Sequence, residues 1–164
     1  VYDIGAGTGS VAVEMALAMR HGHVYAIEQK EEGCELTAKN KEHFGVWNLT
    51  VVRGKAPDIL EGLPAADRVF IGGSGGELTG ILDWVRKNNP FVRIVINAIS
   101  LETLSVATQY LREKGIRAEI VSIQAARAKR LGDYHLMEGQ NPVYIITIEP
   151  DSSETSAGAG QCCI

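Results

Sequence analysis

Short apolar runs alternate with longer amphipathic ones along most of this 164-residue chain. Val1 to Ile4 is an apolar run closed by glycines and reads as a strand. Gly9 to Arg20 follows as a helix, with Val11, Met15 and Met19 recurring at i, i+4 and i+8 as its candidate core face. The pattern then predicts a strand at His23 to Glu28, a polar amphipathic helix at Glu31 to Phe44 and a strand at Leu49 to Arg53. A short helical piece at Asp58 to Gly62 and a strand at Arg68 to Ile71 come next. Glu77 to Lys87 reads as a helix, Val92 to Ile99 as a strong strand bounded upstream by Pro90, and Leu101 to Lys114 as a helix with Leu104, Ala107 and Leu111 inward. Ile116 to Gln124 and Val143 to Glu149 are the last two strands, with an irregular, basic stretch from Ala125 to Pro142 between them.

Strands alternating with helices predict an α/β fold with a mostly parallel sheet covered on both faces. No helix separates the last two strands, so they are expected to pair antiparallel. The length suits one domain, placed at residues 1–150. The Ser-, Gly- and Ala-rich composition of 151–164 reads as a disordered tail.

Charge narrows the function classes. Sixteen Lys and Arg against twenty Asp and Glu leave a net charge of −4, which argues against a nucleic-acid partner. No run approaches the ~20 apolar residues of a membrane span, and no signal peptide opens the chain. Cys34, Cys162 and Cys163 have neither metal-ligand spacing nor the look of a disulfide scaffold, so no metal is expected and a reducing, cytoplasmic setting fits. Gln161 stands where a prenylation box needs Cys. The chain starts without Met inside a strand, and a missing N-terminal segment is expected.

The candidate chemistry begins at Asp3-Ile4-Gly5-Ala6-Gly7-Thr8-Gly9, between a strand and a helix. Glycines there allow a tight turn and let a ligand lie against bare backbone. The exposed N–H groups face the crevice where open α/β sheets take ligands. Glu28 ends the second strand, where an acid accepts hydrogen bonds from ribose hydroxyls. A dinucleotide fingerprint runs G-x-G-x-x-G. Here the third glycine comes one residue early, and Asp3 stands two residues before the first. That form favours S-adenosylmethionine over NAD, with Asp3 holding the loop and reaching the methionine amine.

Past the third strand, Gly54 and Ala56 leave room for an adenine edge, or simply form a helix-start turn with Pro57. The fourth strand runs into Gly72-Gly73-Ser74-Gly75-Gly76, an open floor on which a bulky acceptor could approach the donor. Ser74 to Glu77 also matches a capping box. Asn97, at the carboxyl end of the fifth strand, is placed to face the crevice. Glu102 falls in a first helical turn, where an acid is favoured by the helix dipole whatever its chemistry. Arg127, Lys129 and Arg130 form the basic concentration of an acidic chain, with His135 nearby. Arg forks suit a polycarboxylate, although charge runs often only face water.

These residues together resemble a known family. Asp3 to Gly9, Gly54 to Pro57, Phe70 to Leu78, Asn97 to Thr103, Gly132 to His135 and Asn141 to Val143 are similar to the decarboxylating cobalt-precorrin-6B (C-15)-methyltransferases of cobalamin biosynthesis. The resemblance runs from Val1 to about Glu149. It implies the class I S-adenosylmethionine-dependent, Rossmann-like methyltransferase fold: seven strands, mostly parallel, with an antiparallel last strand. It implies methyl transfer to C-15 of a contracted tetrapyrrole with loss of carbon dioxide from the C-12 acetate. Donor contacts carry over to Gly5, Ala6, Gly7, Thr8, Gly9, Glu28 and Ala56, with Gly54 beside them. A further family contact, a Thr upstream of the first strand, has no counterpart here. A homo-oligomer, a tetramer in the family, is implied, as is a stand-alone enzyme or a domain fused to a C-5 methylating partner. Gly73, Ser74, Asn97, Arg127 and Lys129 are the candidate acceptor-binding residues, and Glu102 and His135 the candidate catalytic ones. Competing readings are a class I methyltransferase acting on RNA or protein, and a non-catalytic donor-binding module.

Overall fold

The structure, a computed structural model, describes residues 1–150. The tail expected at 151–164, with its two cysteines, lies outside the described residues. The elements follow in the order β1 (Tyr2–Ile4), α1 (Ser10–Ala18), β2 (Val24–Glu28), α2 (Glu31–His43), β3 (Leu49–Arg53), a 3-10 turn (Asp58–Gly62), β4 (Arg68–Ile71) and α3 (Leu78–Asn88). Then come β5 (Arg93–Ala98), α4 (Leu101–Lys114), β6 (Glu119–Ile123), β7 (Ala126–Leu131), β8 (Tyr134–Gly139) and β9 (Val143–Ile148).

Seven strands form one sheet in the order β3-β2-β1-β4-β5-β9-β6. The pairs from β3 to β5 are parallel. β9 inserts between β5 and β6 and runs antiparallel to both, as the missing helix before it predicts. Strand order reverses at β1 and β4, the switch point where open α/β sheets bind ligands outside the carboxyl ends of the strands.

Alternation along each strand builds two cores. Tyr2, Ile4, Ile71, Ile94 and Ile96 face α3 and α4 and meet Ile81, Leu82, Ala107 and Tyr110. Each fully buried Ile or Leu there contributes about 1.5–3 kcal/mol. On the other face Val24, Ala26 and Leu49 meet α1. The α1 stripe differs from the expected one. Ala12, Val13 and Ala16 are buried, whereas Val11 is exposed and Met15 and Met19 are partly covered. Small residues let the helix press close to the sheet, which outweighs the longer side chains. α4 is capped as a good helix should be: Ser100 accepts from the Thr103 N–H at 3.2 Å, and Gly115 ends it with φ +63°.

The stretch from Ala125 to Pro142 is not irregular. β7 and β8 form a separate antiparallel hairpin around Gly132-Asp133, with Gly132 at φ +62°. Every residue of both strands is exposed. Ala126 to Lys129 alternates small apolar with charged residues, but no large apolar side chain recurs on one face of β7, so the strand signal is weak.

Candidate functional site

The loop from Gly5 to Gly9 leaves β1 at the switch point. Its three glycines have φ of +74°, +58° and +75°, a region only glycine enters freely. A Cβ on Gly5 would lie 2.6 Å from the Gly73 nitrogen, so β1 and β4 approach too closely there for any side chain. On Gly7 a Cβ would meet nothing within 4 Å, so bare backbone faces open space. The N–H groups of Gly5 and Ala6 bind the Ile27 carbonyl at 2.9 and 3.1 Å. From α2, the Thr37 hydroxyl donates to the Gly7 carbonyl and the Asn40 amide to the Thr8 carbonyl. Sequence reading missed both.

Glu28 is buried and held at both oxygens. The Gly7 N–H donates to Oε2 at 2.9 Å and the Lys30 N–H to Oε1 at 2.8 Å. A carboxylate has about four lone-pair sites, so acceptor capacity remains for hydroxyls. Gly33 in α2 packs against it; a Cβ would fall 2.7 Å from the Glu28 Cγ.

Asp3 is buried, only 1 % exposed, and accepts the Ala12 N–H, tying β1 to α1. Its Oδ2 has no partner. Burial, partly offset by that N–H and reinforced by the charge of Glu28, pushes its carboxyl up to about 7.

Two cavities open at this end of the sheet. The first, about 300 Å³, is lined by Gly5, Gly7, Glu28, Gly54, Ala56 and Gly73 among others. Gln29, Lys30 and Lys55 also reach it, and sequence reading passed over all three. Ala6, Thr8, Gly9 and Asp3 support this cavity without lining it. The second, about 310 Å³, lies between β4 and β5 and includes Gly72, Asn97, Ile99, Ser100 and Thr103. Gly73 and Ser74 line both, so the glycine segment after β4 is a shared wall rather than a floor.

The capping box does not form. Glu77 itself precedes α3, no side chain caps that helix, and the Glu77 carboxylate pairs with Lys55 at 3.1 Å. Ser74 contributes only its carbonyl, to the Glu77 N–H.

Other candidates lie elsewhere. Glu102 is exposed in the first turn of α4 and lines neither cavity. His135 is exposed on β8, opposite Arg130. Hairpin alternation places Arg127 and Lys129 on one face and Arg130 with His135 on the other, so the expected cluster is split. Lys129 approaches Glu138 at 3.5 Å. Among the described residues no group of His, Cys, Asp and Glu could hold a metal, and no helix is long and apolar enough to cross a membrane.

A seven-stranded sheet with β9 inserted antiparallel, a glycine loop at the switch point and an acid ending β2 define a class I methyltransferase. The model of the precorrin methyltransferase domain matches residues 1–149, and the chain belongs to that family. A relative from Pyrobaculum calidifontis, named "Probable cobalt-precorrin-6B C(15)-methyltransferase (decarboxylating)", is 47% identical over 149 residues, 90% of this chain and 76% of its own. The Salmonella typhimurium protein named cobalt-precorrin-6B C(15)-methyltransferase (decarboxylating) is 36% identical over 155 residues, 93% of this chain and 80% of its own. Among solved structures, a precorrin-6y C5,15-methyltransferase from Geobacter metallireducens superposes with a TM-score of 0.81 at 40% identity, covering 90% of this chain and 79% of its own.

Proposed function

We propose that this chain transfers a methyl group from S-adenosylmethionine to C-15 of cobalt-precorrin-6B and releases the C-12 acetate carboxyl as carbon dioxide, a step of cobalamin biosynthesis. The observation that carries the reading is the meeting of two cavities at the Gly73–Ser74 wall, in a chain of this family. The first cavity suits the donor. Its volume is at the lower end for small-molecule sites, Gly7 offers bare backbone, and Glu28 keeps acceptor capacity for ribose hydroxyls. Gly54 and Ala56 would border the adenine, on a loop held by the Gly54 N–H to the Glu28 carbonyl at 3.0 Å.

S-adenosylmethionine supplies an electrophilic methyl group when bound. The work left to the protein is then alignment of methyl and acceptor carbon. Gly73 and Ser74 are the natural place for it, because a side chain larger than theirs would stand between the two ligands. Asn97 and Ser74 belong to the acceptor side. Arg127 and Lys129, on an exposed hairpin face, suit outlying carboxylates of the macrocycle. Glu102 and His135 are the polar groups to test for proton transfer.

The exposed apolar side chains of β6 and the hairpin, Val121, Ile123, Leu136 and Met137, suit contacts between subunits, in line with a homotetramer. A cytoplasmic setting fits as well. Mass spectrometry of cobalt-precorrin-6B incubated with the enzyme and S-adenosylmethionine tests the reading. Methyl gain together with loss of carbon dioxide is expected. Methylation of RNA or protein instead, or donor binding without turnover, would overturn it.

A further inference from the structure

The second cavity differs from the first in one respect that bears on the reaction: among the described residues, no charged side chain lines it. Its walls are Ile71, Leu78, Ile96 and Ile99, with polar groups only from Ser74, Asn97, Ser100 and Thr103. Its volume of about 310 Å³ matches that of the first cavity and is at the lower end for small-molecule sites. That takes one edge of the macrocycle with its substituents, not a whole tetrapyrrole. The rest of the macrocycle must lie outside, and Ile99, 64% exposed at the cavity, offers it an apolar rest.

The hydroxyls are ordered for donation. Ser100 Oγ accepts the Thr103 N–H and gives its own proton to Thr103 Oγ1 at 3.0 Å. The Thr103 proton is therefore left for a ligand, and the Ser74 hydroxyl has no hydrogen-bond partner among the described residues.

We propose that this cavity receives the carboxylate arm that leaves as carbon dioxide, held by the hydroxyls of Thr103 and Ser74 with no cation beside it. The assignment rests on the tetrapyrrole reading above and names the place of its second bond change. The bond between the arm carbon and the carboxylate carbon breaks, and carbon dioxide leaves. The bonding pair enters the conjugated macrocycle and forms the new carbon–methyl bond, while the sulfonium–methyl bond of the donor breaks and leaves its pair on sulfur as the thioether. The arm carbon, left as an exocyclic methylene, becomes a methyl by a proton shift within the macrocycle, so no oxidant or reductant is needed. Negative charge leaves the carboxylate as the bond stretches. A cation there would hold the ground state more tightly than the transition state and slow the step, whereas neutral donors orient the arm without that penalty. Sharing a wall with the donor cavity puts the breaking and forming bonds on one macrocycle edge.

The test adds the missing charge and removes a donor. Ile99→Lys places an ammonium at an exposed position of the cavity. It should lower KM for cobalt-precorrin-6B and lower kcat at least tenfold. Leu17→Lys, the same change on exposed α1, should match the parent. Thr103→Val keeps the backbone N–H to Ser100. It should lower carbon dioxide release and methyl transfer together at least tenfold, since one electron pair serves both, with S-adenosylhomocysteine affinity unchanged by calorimetry. An Ile99→Lys enzyme with equal or faster release of carbon dioxide, or a Thr103→Val enzyme with parental rates, overturns the assignment alone. A parent enzyme that leaves the precorrin unchanged overturns the tetrapyrrole reading, and this one with it.

Discussion

The two cavities are nearly equal in volume, share the Gly73–Ser74 wall, and treat charge in opposite ways. The first is built around a carboxylate. Glu28 is fixed by two backbone N–H groups, Asp3 is buried behind the loop, and the Lys55–Glu77 pair ties the loop after β3 to the segment before α3. The second is apolar with a few neutral donors. Under the proposed function, the difference follows from what each is asked to do. A sulfonium donor with ribose hydroxyls is recognised by fixed acceptors. A carboxylate that must lose its charge is better held by shape and weak donors. A protein can place such unlike sites side by side because a single glycine-rich segment separates them.

The largest expected effect tests the close approach that creates the shared wall. Gly5→Val puts a branched side chain at φ +74° and into the Gly73 backbone. Overpacking and left-handed strain together should cost on the order of 4 kcal/mol or more. Chemical denaturation measures this, and an unchanged midpoint would mean that the loops are not in contact. Gly7→Ala is the matched control. Its Cβ meets open space, so it should show only the left-handed strain, about 1–2 kcal/mol.

Next comes the buried acid. Asp3 has a folded value near 7 against an ordinary 3.8. Between those values the folded chain keeps a proton that the unfolded chain has released, so stability falls as pH rises from about 4 to 7 and then levels. Asp3→Asn keeps an acceptor for the Ala12 N–H without the charge. It should flatten that slope and be more stable than the parent by on the order of 2–4 kcal/mol at pH 8. Thermal or denaturant melts across pH check it, and a parallel pair of curves would show that burial does not raise Asp3.

Glu28→Ala should weaken S-adenosylhomocysteine binding by about 1–3 kcal/mol, since charged hydrogen bonds are removed. Calorimetry decides, and preferential binding of NAD would contradict the donor assignment. The smallest effect belongs to Lys55→Met. Both partners of the ion pair are about half exposed, so stability should change by less than about 1 kcal/mol, and less still at high salt.

The donor side was the more legible half. Gly5, Gly7 and Gly9 need positive φ, and an acid must end β2; both requirements leave marks in local sequence. Strand and helix spans came out close to the observed ones, because β5 and β9 are rich in Ile and Val and α4 carries both of its caps. What escaped was set by tertiary packing. The buried face of α1 is Ala12, Val13 and Ala16 because a short distance to the sheet selects small residues, while Val11 and the methionines gave the stronger periodic signal. Ser74 and Glu77 match a capping box, yet α3 starts three residues too late for it and Lys55 takes the Glu77 carboxylate. The hairpin had one local mark, the two-residue Gly132-Asp133 turn. Its strands lie on no core, so burial never imposed a stripe of large apolar residues. The roles of Thr37, Asn40 and Thr103 escaped for another reason: each acts on a loop distant in sequence or through a cavity that only the folded chain creates.

A crystal structure of the protein with S-adenosylhomocysteine tests the central claim most directly. The account predicts the ribose hydroxyls on Glu28, the ligand backbone against Gly5 and Gly7, and the thioether sulfur facing the Gly73–Ser74 wall with the second cavity left free. A ligand lying in the second cavity, or one whose sulfur faces away from that wall, would contradict it.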